Sequence, residues 1–162
     1  MTQHDFGYGQ SDKAPGDISL GIQNQVLDKL LDHWQLSQPA IIGHDFGGAT
    51  LLRTHLLNAR DFDKIVLIDP VALSPWGSSF FRHVRAHETA FAGVPDYIHE
   101  AIVRAYVKTA AFQPIDDATL DMIVTPWTED NGKASFYRQI AQAEPSIPMR
   151  YSRSTPTYRG RF

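Results

Sequence analysis

The sequence contains no cysteine among its 162 residues. Disulfide bonds, zinc sites built on thiolates, iron–sulfur clusters and a cysteine nucleophile are therefore excluded. No apolar run approaches the roughly 20 residues that a membrane-spanning helix needs. The amino terminus also lacks the basic and apolar regions of a signal peptide. We therefore expect a soluble, cytoplasmic protein with no membrane partner.

The net charge of the chain is small and negative, since 15 Lys and Arg residues stand against 18 Asp and Glu residues. This balance argues against nucleic acid as the main partner. Residues 145–162 differ, because they contain four arginines, several prolines and no acidic residue. We expect this basic tail to be disordered. Binding of nucleic acid by the tail is the alternative.

The spacing of apolar residues predicts an α/β fold in the first part of the chain. Helical periodicity predicts a helix over residues 19–35, and residues 39–43 form a short apolar run ending in glycine. Helical spacing resumes over residues 47–59. Residues 64–69 form a continuous apolar run of the kind found in strands buried on both faces of a parallel sheet. Together these segments predict a strand–helix–strand unit with parallel strands.

The pattern after residue 70 is helical, with no internal repeat and no predicted strand. The clearest helix covers residues 96–110, and its predicted apolar side consists of Ile98, Ala101, Ile102, Ala105 and Tyr106. The predicted helix breaks are Pro75, residues 93–95, Pro114 and Pro126. We therefore predict a partial core over residues 1–70, an all-helical insertion over residues 71–144, and the tail.

The most informative segment is Gly-His-Asp-Phe-Gly-Gly at residues 43–48, between the first strand and the next helix. Small residues two before and two after Asp45 suit a very tight turn, in which we expect a larger side chain at 43 or 47 to collide. Such a turn strains the central residue and pushes its side chain out above the sheet. Asp45 is thus a candidate nucleophile, since a carboxylate can attack carbon without a base. The alternative is that Asp45 only caps the helix.

Three segments resemble the α/β-hydrolase superfamily: Gly-Tyr-Gly-Gln-Ser-Asp at 7–12, Gly-His-Asp-Phe-Gly-Gly at 43–48 and Ile-Val-Leu-Ile-Asp-Pro at 65–70. The central aspartate is similar to the branch of haloalkane dehalogenases, fluoroacetate dehalogenases and epoxide hydrolases. The resemblance covers residues 5–144 and implies a partial α/β-hydrolase core with a helical cap. It implies hydrolysis of a small organic substrate, a haloalkane, haloacid or epoxide, through an ester on Asp45 and without a cofactor.

The resemblance also implies roles for further residues. The backbone N–H of Phe46 would stabilise an oxyanion or a leaving halide. Asp69 would orient a catalytic histidine, although aspartate at this strand end also occurs in relatives whose acid lies elsewhere. Aromatic side chains would contact the halide or the epoxide oxygen, or else pack in the cap core; the candidates are Trp76, Trp127, Tyr106 and Tyr137.

Two elements of the family pattern have no counterpart in the sequence. The histidine that follows the cap is missing, because the last histidine is His99, and so is the first oxyanion loop. We therefore expect a chain cut short at both ends, with negligible turnover. We also expect a three-stranded remnant whose exposed sheet edge favours self-association. A non-catalytic fragment that oligomerises or binds a partner is the competing interpretation.

One histidine pair has a spacing that suits a metal. His83 and His87 lie four residues apart, so both rings can face the same side of a helix. Because no third ligand follows from the sequence, we expect a solvated helix face and no metal site.

Overall fold

The structure, a computed structural model, describes three stretches of the chain: residues 7–72, 76–129 and 131–143. Their contacts form two units. The helical unit consists of residues 7–18 and 77–143, and the sheet unit consists of residues 19–76. The predicted tail over residues 145–162 lies outside the described residues, and the three-part division of the chain stays a prediction.

The sheet unit is a strand–helix–strand unit preceded by one helix. The two strands run parallel, with Ile42 opposite Val66 and His44 opposite Ile68. All four predicted elements are present, so the α/β class is confirmed. Their bounds are α1 Leu20–His33, β1 Ala40–His44, α2 Asp45–Leu57 and β2 Lys64–Ile68.

Both helices of the sheet unit cover the same face of the sheet. Leu31 of α1 and Leu51 of α2 are buried in one cluster with Phe62. Ile41 and Ile65 pack against this cluster from the two strands. Because side chains alternate along a strand, the next residues of β1 and β2 point to the opposite face.

That opposite face is bare within the described residues. Ile42 is 68% exposed, Val66 47% and Ile68 51%. The expectation that β2 is buried on both faces is therefore wrong for the described chain. The expected remnant of three strands is also wrong, since the described sheet has two. The sequence predicts an exposed sheet edge, and the bare apolar face is a finding beyond that prediction.

The helical unit contains five helices and no strand among its described residues, as predicted for this part of the chain. Pro126 was expected to break a helix, and this is wrong. It lies in the last turn of its helix, so only the two residues that follow it are helical beyond the proline. In the described residues, no helix combines the length and apolarity needed to cross a bilayer. The helices are α3 Ser79–Ala86, α4 Glu88–Ala92, α5 Asp96–Lys108, α6 Asp117–Thr128 and α7 Gly132–Gln142.

A polar face of α7 holds the loop of residues 7–18. The Ser135 hydroxyl donates to the Gly7 carbonyl oxygen at 3.0 Å, and the Gln139 amide donates to the same oxygen. The Gln142 side chain accepts from the Ile18 N–H at 2.8 Å. Side-chain bonds to backbone groups therefore fix this loop, which carries the first segment of the family resemblance.

Candidate active site

Asp45 is the point at which β1 passes directly into α2. Its φ angle is +49°, in the left-handed region that is uncommon for residues other than glycine. The preceding residue, His44, is still extended, with φ −118° and ψ 141°. The chain therefore changes from strand to helix at one strained residue, as the sequence predicts for the centre of this turn.

Two glycines make the space for this turn, and only one of them was predicted. A Cβ atom at Gly43 would lie 2.8 Å from both the Gly47 carbonyl oxygen and the Gly48 Cα atom, so this position requires glycine. A Cβ atom at Gly47 would meet nothing within 4 Å, so the predicted collision at 47 is wrong. The second requirement falls on Gly48, where a Cβ atom would lie 2.6 Å from the Cβ atom of Pro70.

The alternative role of Asp45 as a helix cap stays open. The helical hydrogen-bond pattern of α2 begins at Asp45, but its φ of +49° is not helical. The Phe46 N–H donates to the Asp45 carboxyl group. The backbone donor that the resemblance assigns to an oxyanion or halide is thus bonded to the candidate nucleophile in this structure.

Asp45 is exposed to solvent as a residue, and its carboxyl group has a raised pKa. Burial of the group raises its pKa above the ordinary value, and the charge of Asp69 raises it further. The neighbouring His44 and the bond from Phe46 lower the pKa of Asp45. A carboxylate with a raised pKa is a stronger base, which suits a nucleophile.

Asp69 follows β2 in the same way that Asp45 follows β1. Because His44 and Ile68 are register partners, the two aspartates leave the same edge of the sheet on neighbouring strands. Asp69 also has a positive φ, +41°. The Val71 N–H donates to the Asp45 carbonyl oxygen at 3.2 Å, which ties the exit of β2 to the turn. Orientation of a histidine by Asp69 stays a prediction.

One predicted substrate-contacting aromatic lies in the sheet unit. Trp76 meets Phe46 edge-to-face, with ring centroids 5.4 Å apart and an interplanar angle of 85°. This is a favourable geometry for an aromatic pair. It brings the Trp76 ring next to the residue that follows Asp45.

The other three predicted aromatics pack within the helical unit. Tyr137 has no exposed surface, and its hydroxyl lies 3.0 Å from Nδ1 of His99. The Trp127 ring lies edge-on to Tyr8, with centroids 5.7 Å apart. Tyr106 packs against the two phenylalanines of α3. These contacts match the packing alternative, and contact with a substrate stays a prediction.

Sequence reasoning missed a buried histidine that joins three helices of this unit. His99 of α5 is 1% exposed, and its Nε2 lies 2.9 Å from the Trp127 carbonyl oxygen of α6. Since a carbonyl can only accept, Nε2 carries the proton, and Nδ1 accepts from the Tyr137 hydroxyl of α7. Burial lowers the pKa of His99, and burial raises the pKa of Tyr137 to about 12. The spacing of four between His99 and Val103 was the available signal.

The histidine pair of the helical unit is exposed at both positions. The rings of His83 and His87 have centroids 4.9 Å apart. Within the described stretches, no group of three or more His, Cys, Asp or Glu residues is placed to hold a metal ion.

Comparison with known proteins identifies the family. The profile of the alpha/beta hydrolase fold matches residues 6–155. Lipase LipV of Mycobacterium tuberculosis is 36% identical over 120 residues, a stretch that covers 72% of this chain and 42% of the lipase. The chain thus spans less than half of this relative.

Solved structures give the same family. An alpha/beta hydrolase fold protein from Burkholderia ambifaria is 48% identical with a TM-score of 0.84, covering 86% of this chain and 52% of that protein. The haloalkane dehalogenase DatA from Agrobacterium tumefaciens is 19% identical with a TM-score of 0.63, covering 84% and 48%, and shows the fold alone. With most of its length matched, and with the partial core and all-helical segment found as expected, the chain belongs to the alpha/beta hydrolase fold family.

Proposed function

We propose that this protein is a hydrolase that acts on a small haloalkane, haloacid or epoxide through a covalent ester on Asp45. The observation that carries the proposal is the backbone of Asp45, held at φ +49° between the end of β1 and the start of α2. Strained residues of this kind cluster at active sites, where the surrounding structure holds them in place. The absence of a side chain at Gly43 and Gly48 allows the close backbone packing around this turn.

The first chemical step is a displacement at carbon. A carboxylate oxygen of Asp45 attacks the carbon that carries the halogen, an ester bond forms, and the halide leaves with the bonding electron pair. With an epoxide, the same attack opens the ring, and the ring oxygen keeps the electron pair and takes a proton from water. Hydrolysis of the ester then requires a general base to activate water.

Among the described residues, no histidine follows the helical segment, which is where the family pattern has the base for the second step. The last histidine of the chain, His99, is buried in the helical unit with both ring nitrogens bonded to Trp127 and Tyr137. A histidine in that state cannot take a proton from water at another site. We therefore expect the ester on Asp45 to form and to persist.

Incubation of the 162-residue chain with 1-bromobutane is expected to add one butyl group per chain, located on Asp45. Intact-protein mass spectrometry measures the mass gain, and peptide mapping locates it. Asp45→Asn removes the nucleophile, and asparagine tolerates a positive φ, so this variant is expected to lose the label completely. Asp63→Asn is the matched control, since Asp63 is an exposed aspartate that directly precedes β2.

The nucleophile assignment is wrong if the folded chain carries butyl groups elsewhere while Asp45 stays unmodified. Far-ultraviolet circular dichroism of each variant shows whether the fold is intact. Rapid release of butanol over many turnovers, lost in Asp45→Asn, would contradict the expected absence of a base instead.

Ester hydrolysis is the chemistry suggested by the name of the relative LipV. Attack of Asp45 on a carboxylic ester would give a mixed anhydride, which is a less natural intermediate than the alkyl ester formed from a haloalkane. Release of nitrophenolate from p-nitrophenyl butyrate, measured in parallel, distinguishes the two chemistries. We expect no release that depends on Asp45.

Self-association through the sheet unit is the second candidate role. Within the described residues, the sheet has two strands, so each strand has one unpaired edge. Ile42, Val66 and Ile68 lie on its bare face. Open strand edges and exposed apolar patches both favour association with another chain. The surface for a non-catalytic, oligomerising role is therefore present in the sheet unit.

Ile42→Lys is expected to weaken self-association about tenfold, because a charge replaces the most exposed apolar side chain of the bare face. Size-exclusion chromatography with light scattering, run over a concentration series, measures the monomer–dimer equilibrium. Met122→Lys is the control, since Met122 is 70% exposed on α6. A wild-type chain that stays monomeric at every concentration, or equal weakening by both variants, contradicts this role.

A further inference from the structure

Two aspartates occupy equivalent places at the ends of the parallel strands. Asp45 follows β1 and Asp69 follows β2, each one residue beyond the register pair of His44 and Ile68. Neighbouring strands lie about 4.8 Å apart, so the backbones of the two aspartates start from adjacent positions. Both have a positive φ, +49° and +41°, and both therefore turn away from the strand direction immediately.

Backbone contacts keep these two positions together. The Val71 N–H donates to the Asp45 carbonyl oxygen at 3.2 Å, so the segment after Asp69 is bonded to the turn itself. Pro70 lies so close to Gly48 that a Cβ atom there would come within 2.6 Å of it. The two carboxyl groups are thus carried on segments that are fixed to each other.

We propose that Asp69 is a positioning residue whose negative charge makes Asp45 a stronger nucleophile, an inference that rests on the ester mechanism proposed above. Repulsion between the two carboxylates raises the energy of ionised Asp45 before the reaction. When the ester forms, the negative charge leaves with the halide and the repulsion is relieved. An interaction that becomes less unfavourable in the transition state increases the rate.

The electrostatics around Asp45 agree with this role. Burial raises the pKa of Asp45 and the charge of Asp69 raises it further, while His44 and the Phe46 N–H lower it. The role also differs from orientation of a catalytic histidine, because it requires no third residue. Asp69 therefore has a function in ester formation even in a chain whose last histidine is His99.

The test is the rate at which 1-bromobutane labels Asp45 as a function of pH. Asp69→Asn removes the charge and keeps a residue that accepts a positive φ. The plateau rate is expected to fall about threefold, the size of effect typical of one charge pair at a partly exposed site. The acidic limb of the pH profile is expected to move to lower pH. Asp63→Asn removes an exposed charge next to β2 and is the control, so it is expected to keep both the rate and the profile.

A salt series provides a second measurement that needs no variant to fold. Salt screens repulsion between partly exposed charges, so the labelling rate of the wild-type chain is expected to fall as the salt concentration rises. The rate of Asp69→Asn, measured where circular dichroism shows an intact fold, is expected to depend less on salt. A wild-type labelling rate that does not change with salt concentration contradicts a role for the charge of Asp69.

The outcomes separate this inference from the mechanism beneath it. A slower Asp69→Asn with an unmoved pH profile overturns the inference, since it indicates lost geometry only. An unchanged rate and profile overturn it as well, while the ester mechanism stands. If wild-type Asp45 is never labelled although the chain is folded, the ester mechanism fails and the role of Asp69 fails with it.

Discussion

Gly43→Ala is expected to lower the free energy of unfolding of the sheet unit by about 3 kcal/mol, the upper range for overpacking a close-packed site. The new Cβ atom would lie 2.8 Å from the Gly47 carbonyl oxygen and the Gly48 Cα atom. Both are backbone atoms, so neither can rotate away as a flexible side chain does. Since small proteins are stable by only about 5–15 kcal/mol, this loss is a large share of the total.

Gly47→Ala is the matched control, two residues from the strained Asp45. A Cβ atom at position 47 has open space, and alanine favours the helix by up to about 1 kcal/mol over glycine. Hydrogen exchange of the α2 amides in a urea series measures both variants and separates the sheet unit from the helical unit. Equal destabilisation by the two variants would show that the steric account of the turn is wrong.

The difference between positions 47 and 48 illustrates what the sequence could and could not predict. The turn, its strained centre and the need for glycine at 43 follow from local chain geometry, because strand and helix meet there without a linker. The second glycine is needed for Pro70, which follows β2 and is more than 20 positions away in the chain. A contact of this kind depends on how the strands pair, and local pattern does not contain that information.

Burial of β2 shows the same limit on a larger scale. Its unbroken apolar sequence predicts a strand covered on both faces, yet Val66 and Ile68 are exposed and only Ile65 packs against the helical face. An apolar strand sequence indicates that helices or strands can cover both faces of the sheet. Whether the strand is buried depends on which of these covering layers are present. The described residues supply one covering layer, and the chain spans 52% of the Burkholderia ambifaria relative.

The buried face of α5 was predicted incorrectly for a different reason. Apolar spacing placed Ile98 and Ala101 inside, but both are exposed, and the buried residues are His99 and Val103. A hydrophobicity pattern treats histidine as a polar residue and therefore predicts that its position is exposed. A histidine becomes favourable inside only when both ring nitrogens are bonded. The two partners of His99 come from other helices, 28 and 38 residues further along the chain.

His99→Leu is expected to lower the free energy of unfolding of the helical unit by about 3 kcal/mol, because it leaves one buried and one partly buried polar group without a partner, at roughly 1–3 kcal/mol for a buried group. These groups are the Trp127 carbonyl oxygen and the Tyr137 hydroxyl. Hydrogen exchange of the α5 and α7 amides in a urea series measures the loss. His83→Leu, at an exposed position in the same unit, is the control and is expected to change stability by no more than about 0.5 kcal/mol.

The pH dependence of this loss identifies the histidine as its source. Burial holds the pKa of His99 in the folded chain below 6.5, its ordinary value. Between these two pKa values the unfolded chain binds more protons than the folded chain, so stability rises with pH. The stability that neutral, buried His99 contributes is fully present above pH 6.5. It is lost as the pH falls towards the lower pKa of the folded chain. Relative to wild type, His99→Leu is therefore expected to lose less stability on acidification, and identical slopes would contradict burial of a neutral imidazole.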